Sequence, residues 1–522
     1  MKKTFTLSMT FLHTWGGLVM GWLLFGVLLT GSIAVFQDEI NLWAVPEIRT
    51  GLNPDRATTL QLGVDHLNAQ APDARMWRID LPRDRDPQLI VAWTTPQGKT
   101  TSHTLDPVSG GVIERKTQAG AFYLAYHYML GIDRNENLAG FMIVGLSGIF
   151  MIAACVSGIV IHKRIFKDLF LFRPNASGQR AWLDMHNVLG VLPLPFHLMM
   201  AYTGIVILYW IYIPAAVQTL YAGDSVPFRA EAIALEYRGL KAPAGEPAAM
   251  LPLPQLMRAA ETSMGADKTA YIYVRDPNRG NAVFDAYRDR DDRVTQQVEQ
   301  VALDGVTGAV LRIRDDSAIS RVQSYIAALH FVEWGGAAVR WAYGLAGMAS
   351  TGMVAAGLVV FTEKRRRKAG GDAAWLTWVD KINVAAVAGI SVACVALLWA
   401  ERLTPVFPER AQIPVLAFYW TWAAMALHAA LRPPRKAWGE QFVLAGLLCL
   451  GAPLLGGQGW RHLAALDGVR MGMDATLIGT GLLCLAGVWI LHRRARAGPC
   501  QPEAAEVEDA VEALRCLSPP AC

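Results

Sequence analysis

HTWGGLVMGWLLFGVLLTG, residues 13–31, and HNVLGVLPLPFHLMMAYTG, residues 186–204, carry the same four residues at the same offsets. His13, Gly17, Thr30 and Gly31 in the first answer to His186, Gly190, Thr203 and Gly204 in the second. Both segments are long and apolar enough to enter a bilayer. Ionisable side chains are costly in lipid and are kept there for function. A histidine repeated near the same end of two membrane helices therefore points to a site built between them.

Outward from these segments, the chain of 522 residues is 53% hydrophobic and holds 17 Trp, the composition of a polytopic membrane protein. The hydropathy pattern predicts spans at about 11–36, 138–161, 183–212, 338–361, 375–400, 414–431, 440–457 and 476–492. The loops between them sort by charge. Lys2 and Lys3, the Lys163–Arg164–Lys167 cluster, Lys364 to Lys368, the Arg432–Arg435–Lys436 cluster and the Arg493–Arg494–Arg496 cluster all fall on one side. The positive-inside rule makes that side the cytoplasm, with both termini inside, as expected for a bacterial inner-membrane protein. The long loops 37–137 and 213–337 then face outward. Membrane lipid is an expected partner and nucleic acid is not. The first apolar run carries the repeated histidine and no small-residue cleavage site, so it is expected to stay as a helix. Cys155, Cys394, Cys449 and Cys484 lie in apolar runs and are expected to pack. Cys500, Cys516 and Cys522 lie in the tail without a zinc spacing, and the outer loops hold no Cys for a disulfide framework.

The repeat extends into the loops. LDPVSGGV at 105–112 and LDGVTGAV at 303–310 each read as strand, tight turn and strand, with Asp opening the turn and Gly relaxing it. A helical stretch at 58–70 and a strand at 88–93 precede the first turn, and 253–263 and 270–274 repeat that order before the second. After each turn comes an aromatic stretch with a histidine: FYLAYHYMLG with His127, and YIAALHFVEWGG with His330. The predicted organisation is helix 1 (1–36), an α+β domain (37–137), helices 2 and 3 (138–212), a second α+β domain (213–337), helix 4 with its basic loop (338–368), four further helices (369–496) and a tail (497–522). Two such units should pack about a pseudo-two-fold axis along the membrane normal.

These residues resemble the PepSY-associated transmembrane family of bacterial membrane proteins. The likeness rests on the H-x3-G…TG helices, the LDPVSGGV and LDGVTGAV turns, the LAYHYMLG and AALHFVEW stretches and VSGIVIHKRIFKDLFLFRP at 156–174, and it covers residues 1 to about 368. The resemblance implies a polytopic α-helical membrane protein with two extracytoplasmic α+β PepSY-like domains, between helices 1 and 2 and helices 3 and 4, on about eight transmembrane helices. Some members are iron-regulated ferric-siderophore reductases with haem between the helices. Some relatives add a C-terminal flavin and nicotinamide domain. Here no G-x-G-x-x-G follows a strand, so the donor is an unidentified cytoplasmic or quinone species.

The resemblance implies haem b, and six histidines are candidates to hold its iron. No C-x-x-C-H sequence offers covalent attachment. His13, His162 and His186 sit toward the cytoplasmic face, His127 and His330 at the outer face, and His197 near mid-membrane. His186 and His197, eleven residues apart, should share a helix face about 16 Å apart in depth, which fits two haems in series or one haem plus a relay. The bland alternatives are an interfacial aromatic belt for His127 and His330, a snorkelling end residue for His162 and a packed core residue for the others. Asp38 and Glu39 are expected to be solvated anchors, RDRDDR at 288–293 an exposed turn, and residues 502–515 an acidic tail segment. Three functions follow: a haem-containing inner-membrane reductase of periplasmic ferric siderophore or ferric chelate, a non-enzymatic membrane protein binding peptide, peptidase or cell-wall partners, or an iron or siderophore transporter component.

Overall fold

The computed structural model describes residues 3–132, 138–162, 173, 178–212, 215–224, 245–314, 316, 318–369, 373–455 and 467–497. The Lys163–Arg164–Lys167 cluster, His462, the three tail cysteines and residues 502–515 lie outside the described residues.

Within lipid a backbone must satisfy its own hydrogen bonds, so apolar stretches of this length fold as helices. Seven are long and apolar enough to cross a membrane: α1 (Thr4–Ala34), α5 (Ala139–Ile161), α10 (Gly336–Ala369), α11 (Ala374–Leu403), α12 (Gln412–Leu431), α13 (Pro434–Leu454) and α14 (Gly468–Arg493). A further crossing comes from α6 (Gly178–Val191) and α7 (Leu194–Ile207) taken together, bent by 63° at their junction. Pro193 and Pro195 cause the break, because proline has no amide hydrogen for the helical ladder and its ring clashes with the preceding turn. The bend corrects the expectation that His186 and His197 share one face of a continuous helix. They stand on different helices, and their depth no longer follows from residue count.

Between α1 and α5 come α2 (Gln37–Ala44), α3 (Arg56–Gln70), β1 (Met76–Asp80), β2 (Leu89–Thr94), β3 (Thr100–Leu105), β4 (Val112–Ile113) and α4 (Ala119–Met129). Between α7 and α10 the order recurs as α8 (Leu253–Met264), β5 (Thr269–Arg275), β6 (Val283–Arg288), β7 (Gln300–Asp304), β8 (Val310–Ile313) and α9 (Ala318–Phe331). The two sets of strands do not form separate sheets. They join into one antiparallel sheet of order β4-β3-β2-β1-β5-β6-β7-β8, with Trp77 opposite Val274 and Ile79 opposite Ile272 at the seam. Helices α3 and α8 lie on one face, where Leu60, Leu67, Leu256 and Ala260 meet Ile79, Val91, Ile272 and Phe284 in a single core.

The repeated turns form as their sequences dictate. Asp106 accepts from the Val108 and Ser109 amides at 3.1 and 2.8 Å, and Asp304 from those of Val306 and Thr307, both at 2.9 Å. Gly110 and Gly308 take φ of 70° and 75°, which side-chain-bearing residues avoid. Arg49 grips Asp106 and holds its carboxyl well below the usual range.

Below the sheet, α1 packs on α5 and α10, α10 on α6, and α7 on α5, forming a four-membered core with the broken helix as one member. Arg85, in the β1–β2 loop, reaches down to Asp38 at 3.4 Å and Glu39 at 2.8 Å, and Arg340 meets Glu39 at 3.6 Å. Asp38 and Glu39 thus fasten the sheet to the helices. Burial raises the Asp38 carboxyl above its ordinary value. In the RDRDDR segment Arg288 is buried and holds Asp292 through two hydrogen bonds of 2.8 Å, so this segment is a folded corner.

Helices α11–α14 dock on the first unit. Trp22 donates to Asn383 at 2.7 Å, Tyr123 to the Cys394 carbonyl at 2.7 Å, and Arg470 to the carbonyls of Leu42, Val45 and Ile48. Arg410 and Glu401, both fully buried, pair at 3.3 Å and hold the strand leading into α4 by bonds to the Lys116 carbonyl and from the Gln118 amide.

Candidate functional site

Four of the six candidate histidines meet in two pairs. His13 on α1 and His186 on α6 lie with ring centroids 6.1 Å apart and planes at 76°. His127 on α4 and His330 on α9 lie 6.0 Å apart with planes at 29°. Each pair takes one histidine from each unit of the repeat. His127 bonds Val27, which is 14 positions beyond His13 on α1, so the pairs are about 20 Å apart along that helix.

The surroundings of the four rings repeat as well. His13 bonds the Ala154 carbonyl at 3.0 Å and lies against Gly158, where a β-carbon would stand 3.3 Å away. His186 bonds the Met353 carbonyl at 2.8 Å and lies against Gly357, at 3.0 Å. His127 bonds the Val27 carbonyl at 2.8 Å and lies against Gly31, at 2.5 Å. His330 bonds Thr203 Oγ1 at 3.0 Å and lies against Gly204, at 3.0 Å. For the first three, the carbonyl bonded is four residues before the glycine. One helical turn thus supplies both the anchor and the space.

These bonds set the tautomers. A carbonyl only accepts, so Nδ1 carries the proton in His13, His186 and His127. Thr203 gives its own proton to the Met199 carbonyl at 2.7 Å, so it too accepts from His330. Every ring therefore offers Nε2 as a bare lone pair, and no described residue hydrogen-bonds any of the four.

A haem iron fits this donor set. Metal–imidazole bonds are about 2 Å and the ring centre lies about 1.1 Å behind the nitrogen, so two imidazoles on one iron have centroids about 6.2 Å apart. Both observed separations agree. Nδ1–H bonded to a carbonyl is the outer-shell contact that ligating histidines use to fix orientation and raise basicity. His13 also sits in a π-helical turn, Leu12–Gly16, a local irregularity common at functional positions. Among the described residues no cluster of three or more metal-ligating side chains is present.

His197 and His162 stand apart. His197 is 2% exposed, neither ring nitrogen is hydrogen-bonded, and its ring neighbour is Phe196. It lies in the same stretch of α7 as Leu194, Leu198 and Ala201, which pack with Met20, Leu24, Met151, Cys155 and Met353. His162 closes α5 with Nε2 buried and unpartnered, and it makes no ring contact with either pair. His428 bonds Glu440 at 3.0 Å and Gln441 at 3.2 Å, far from both pairs in the fold. The sequence signal missed Gly158 and Gly357. They lie in small-residue runs of their spans, and only the rings resting on them distinguish them from the other glycines.

Comparison with known proteins agrees with this architecture. A family model described as a PepSY-associated TM region matches residues 10–364. An uncharacterized protein of Pseudomonas aeruginosa is 26% identical over 388 residues, covering 70% of this chain and 93% of the relative. Both histidine pairs and the whole sheet lie inside the family match, and α11–α14 lie beyond it.

Proposed function

The chain belongs to the PepSY-associated transmembrane family, and from that premise we propose that it is a di-haem reductase of the bacterial inner membrane. It takes electrons from a cytoplasmic or quinone donor and passes them to ferric iron outside, held as a siderophore or other chelate. The observation that supports this most is the pair of symmetric two-imidazole sites, each with four-atom logic in common: Nδ1 anchored, Nε2 bare, glycine beneath, partner ring 6 Å away. His13 with His186, and His127 with His330, would hold one haem b each. Haem b bound there would supply one-electron carriage.

The protein's own residues supply the rest. The backbone carbonyls of Val27, Ala154 and Met353 and the Thr203 hydroxyl lock the ring orientations. Leu24, Met151 and Cys155 keep water out of the space between the pairs. In this reading the sheet is extracytoplasmic, both termini are cytoplasmic, and the acceptor is reached at the His127–His330 end, beneath the strands. There one electron converts ferric iron to ferrous, which most chelators designed for ferric iron hold poorly.

The test is direct. Purified full-length protein is expected to be red, with low-spin b-type absorbance, and acid–acetone should extract all of the haem. Dithionite-reduced protein in nanodiscs should reoxidise on mixing with an external ferric siderophore. Colourless protein from haem-replete cells would favour the non-enzymatic binding function, and haem that resists extraction would exclude b-type attachment.

The cradle glycines give a finer prediction. A methyl group at position 31 would stand 2.5 Å from His127 Nδ1, and one at position 204 would stand 3.0 Å from His330 Cε1. Gly31→Ala should therefore shift the low-spin EPR signal of the outer centre more than Gly204→Ala does. His197→Leu should retain full haem content, because that ring pairs with no other imidazole. Loss of one haem in the His197 variant would return it to the ligand set.

A further inference from the structure

His66 and His103 are 37 residues apart in sequence and come together on the first half of the sheet. His66 Nε2 lies 2.9 Å from His103 Nδ1. Neither is a freely solvated side chain. His103 stands on β3 opposite Val91, His66 on the sheet-facing side of α3, and Trp93 packs edge-on against His103 at 5.0 Å and near His66 at 6.5 Å. Both rings remain partly open to solvent.

The internal repeat shows what this position does when it is only structural. Aligning Leu105–Asp106 with Leu303–Asp304 puts Val301 at the place of His103, and Val301 is 1% exposed in the sheet core. Helix α8 carries no histidine. An apolar residue is therefore sufficient to build the strand, and the first half has two imidazoles where the second has none.

We propose that His66 and His103 form a bidentate site for a divalent first-row transition-metal ion, separate from the membrane pairs. Two nitrogens bound to one such ion at about 2 Å, at 90° to 109°, are about 2.9–3.3 Å apart, which is the spacing already present. Each ring enters as a neutral ligand. The proton now shared between the facing nitrogens moves to the far nitrogen of the donating ring, so no net proton is lost. Those far nitrogens, His66 Nδ1 and His103 Nε2, receive no hydrogen bond from a described residue. Burial, and then His103 beside it, lower the His66 imidazole below its ordinary value. No third His, Cys, Asp or Glu joins them among the described residues, so the remaining positions belong to water. An open, nitrogen-ligated site of this kind ranks copper(II) above nickel(II) and zinc(II).

The experiment uses full-length protein in nanodiscs with thiols alkylated, titrated with copper(II) and followed by EPR. The parent should bind one copper more than the variants, with nitrogen couplings from two imidazoles. His66→Gln and His103→Val should each weaken that site by about tenfold or more, since even outer-shell losses cost 10–100-fold. Copper held by other histidines cancels in the comparison. His103→Val installs the residue that the second half uses. If it nevertheless unfolds the sheet, His66→Gln on the helix carries the test. Equal copper affinity and unchanged nitrogen couplings in parent and His66→Gln would overturn the proposal.

Discussion

His186→Ala is expected to remove half of the haem, and His127→Ala the other half. Each substitution takes one imidazole from one pair and leaves the other pair about 20 Å away along α1 with its anchors intact. The remaining ring of the broken pair, His13 on the Ala154 carbonyl or His330 on the Thr203 hydroxyl, keeps its anchor and can hold iron from one side. Haem that stays at the altered site should therefore turn high-spin, because one axial position has opened. The double variant should be colourless. His428→Ala is the control, since that ring is already committed to Glu440 and Gln441. Haem content by the pyridine haemochromogen assay, read beside the low-temperature spectrum, checks all four proteins. Unchanged low-spin spectra in both single variants would mean that the paired rings are not ligands.

The largest expected effect on stability lies at Arg410. Its guanidinium and the Glu401 carboxylate are both fully buried, and together they hold the chain entering α4, the helix of His127. Arg410→Met would leave Glu401 charged and unpaired in a dry interior, a loss of about 3–5 kcal/mol. The double variant Arg410→Met with Glu401→Gln should recover much of it, because the uncompensated charge is gone. Thermal unfolding in detergent, followed separately by tryptophan fluorescence and by haem absorbance, is the measurement. The outer haem should loosen at a lower temperature than the inner one in Arg410→Met. Equal melting of parent and single variant would show that the pair adds nothing to the docking of α11–α14.

Much of this was legible because it was written twice. The H-x3-G…TG repeat, the two Asp-led turns and the two aromatic histidine stretches place every ring of both pairs at matching points of two units. What remained hidden is contact across units. Position along a helix gives depth, but which neighbour a ring faces depends on rotation and packing. Gly158 and Gly357 illustrate this, since their role exists only once His13 and His186 rest on them. Reading 183–212 as one span missed the 63° bend at Pro193 and Pro195. The two outer loops read as separate domains because strand pairing between β1 and β5 leaves no mark in either sequence. Each strand alone has the same alternation it would have at an edge.

That seam also governs how the protein is made. Met76 faces Arg275, nearly two hundred residues later in synthesis, and two helical crossings are inserted between them, α5 and the broken α6–α7. Until the second loop arrives, β1 presents an unpaired edge rich in hydrogen-bonding groups, the kind that other chains can seize. The first half of the sheet must wait, open, for the other four strands. Pairings this distant are slow to form, because the entropy of closing so long a loop is spent before any contact repays it. The sheet is therefore completed only when β5 meets β1. A ribosome stalled before residue 269 leaves a membrane-anchored half-sheet with its seam exposed.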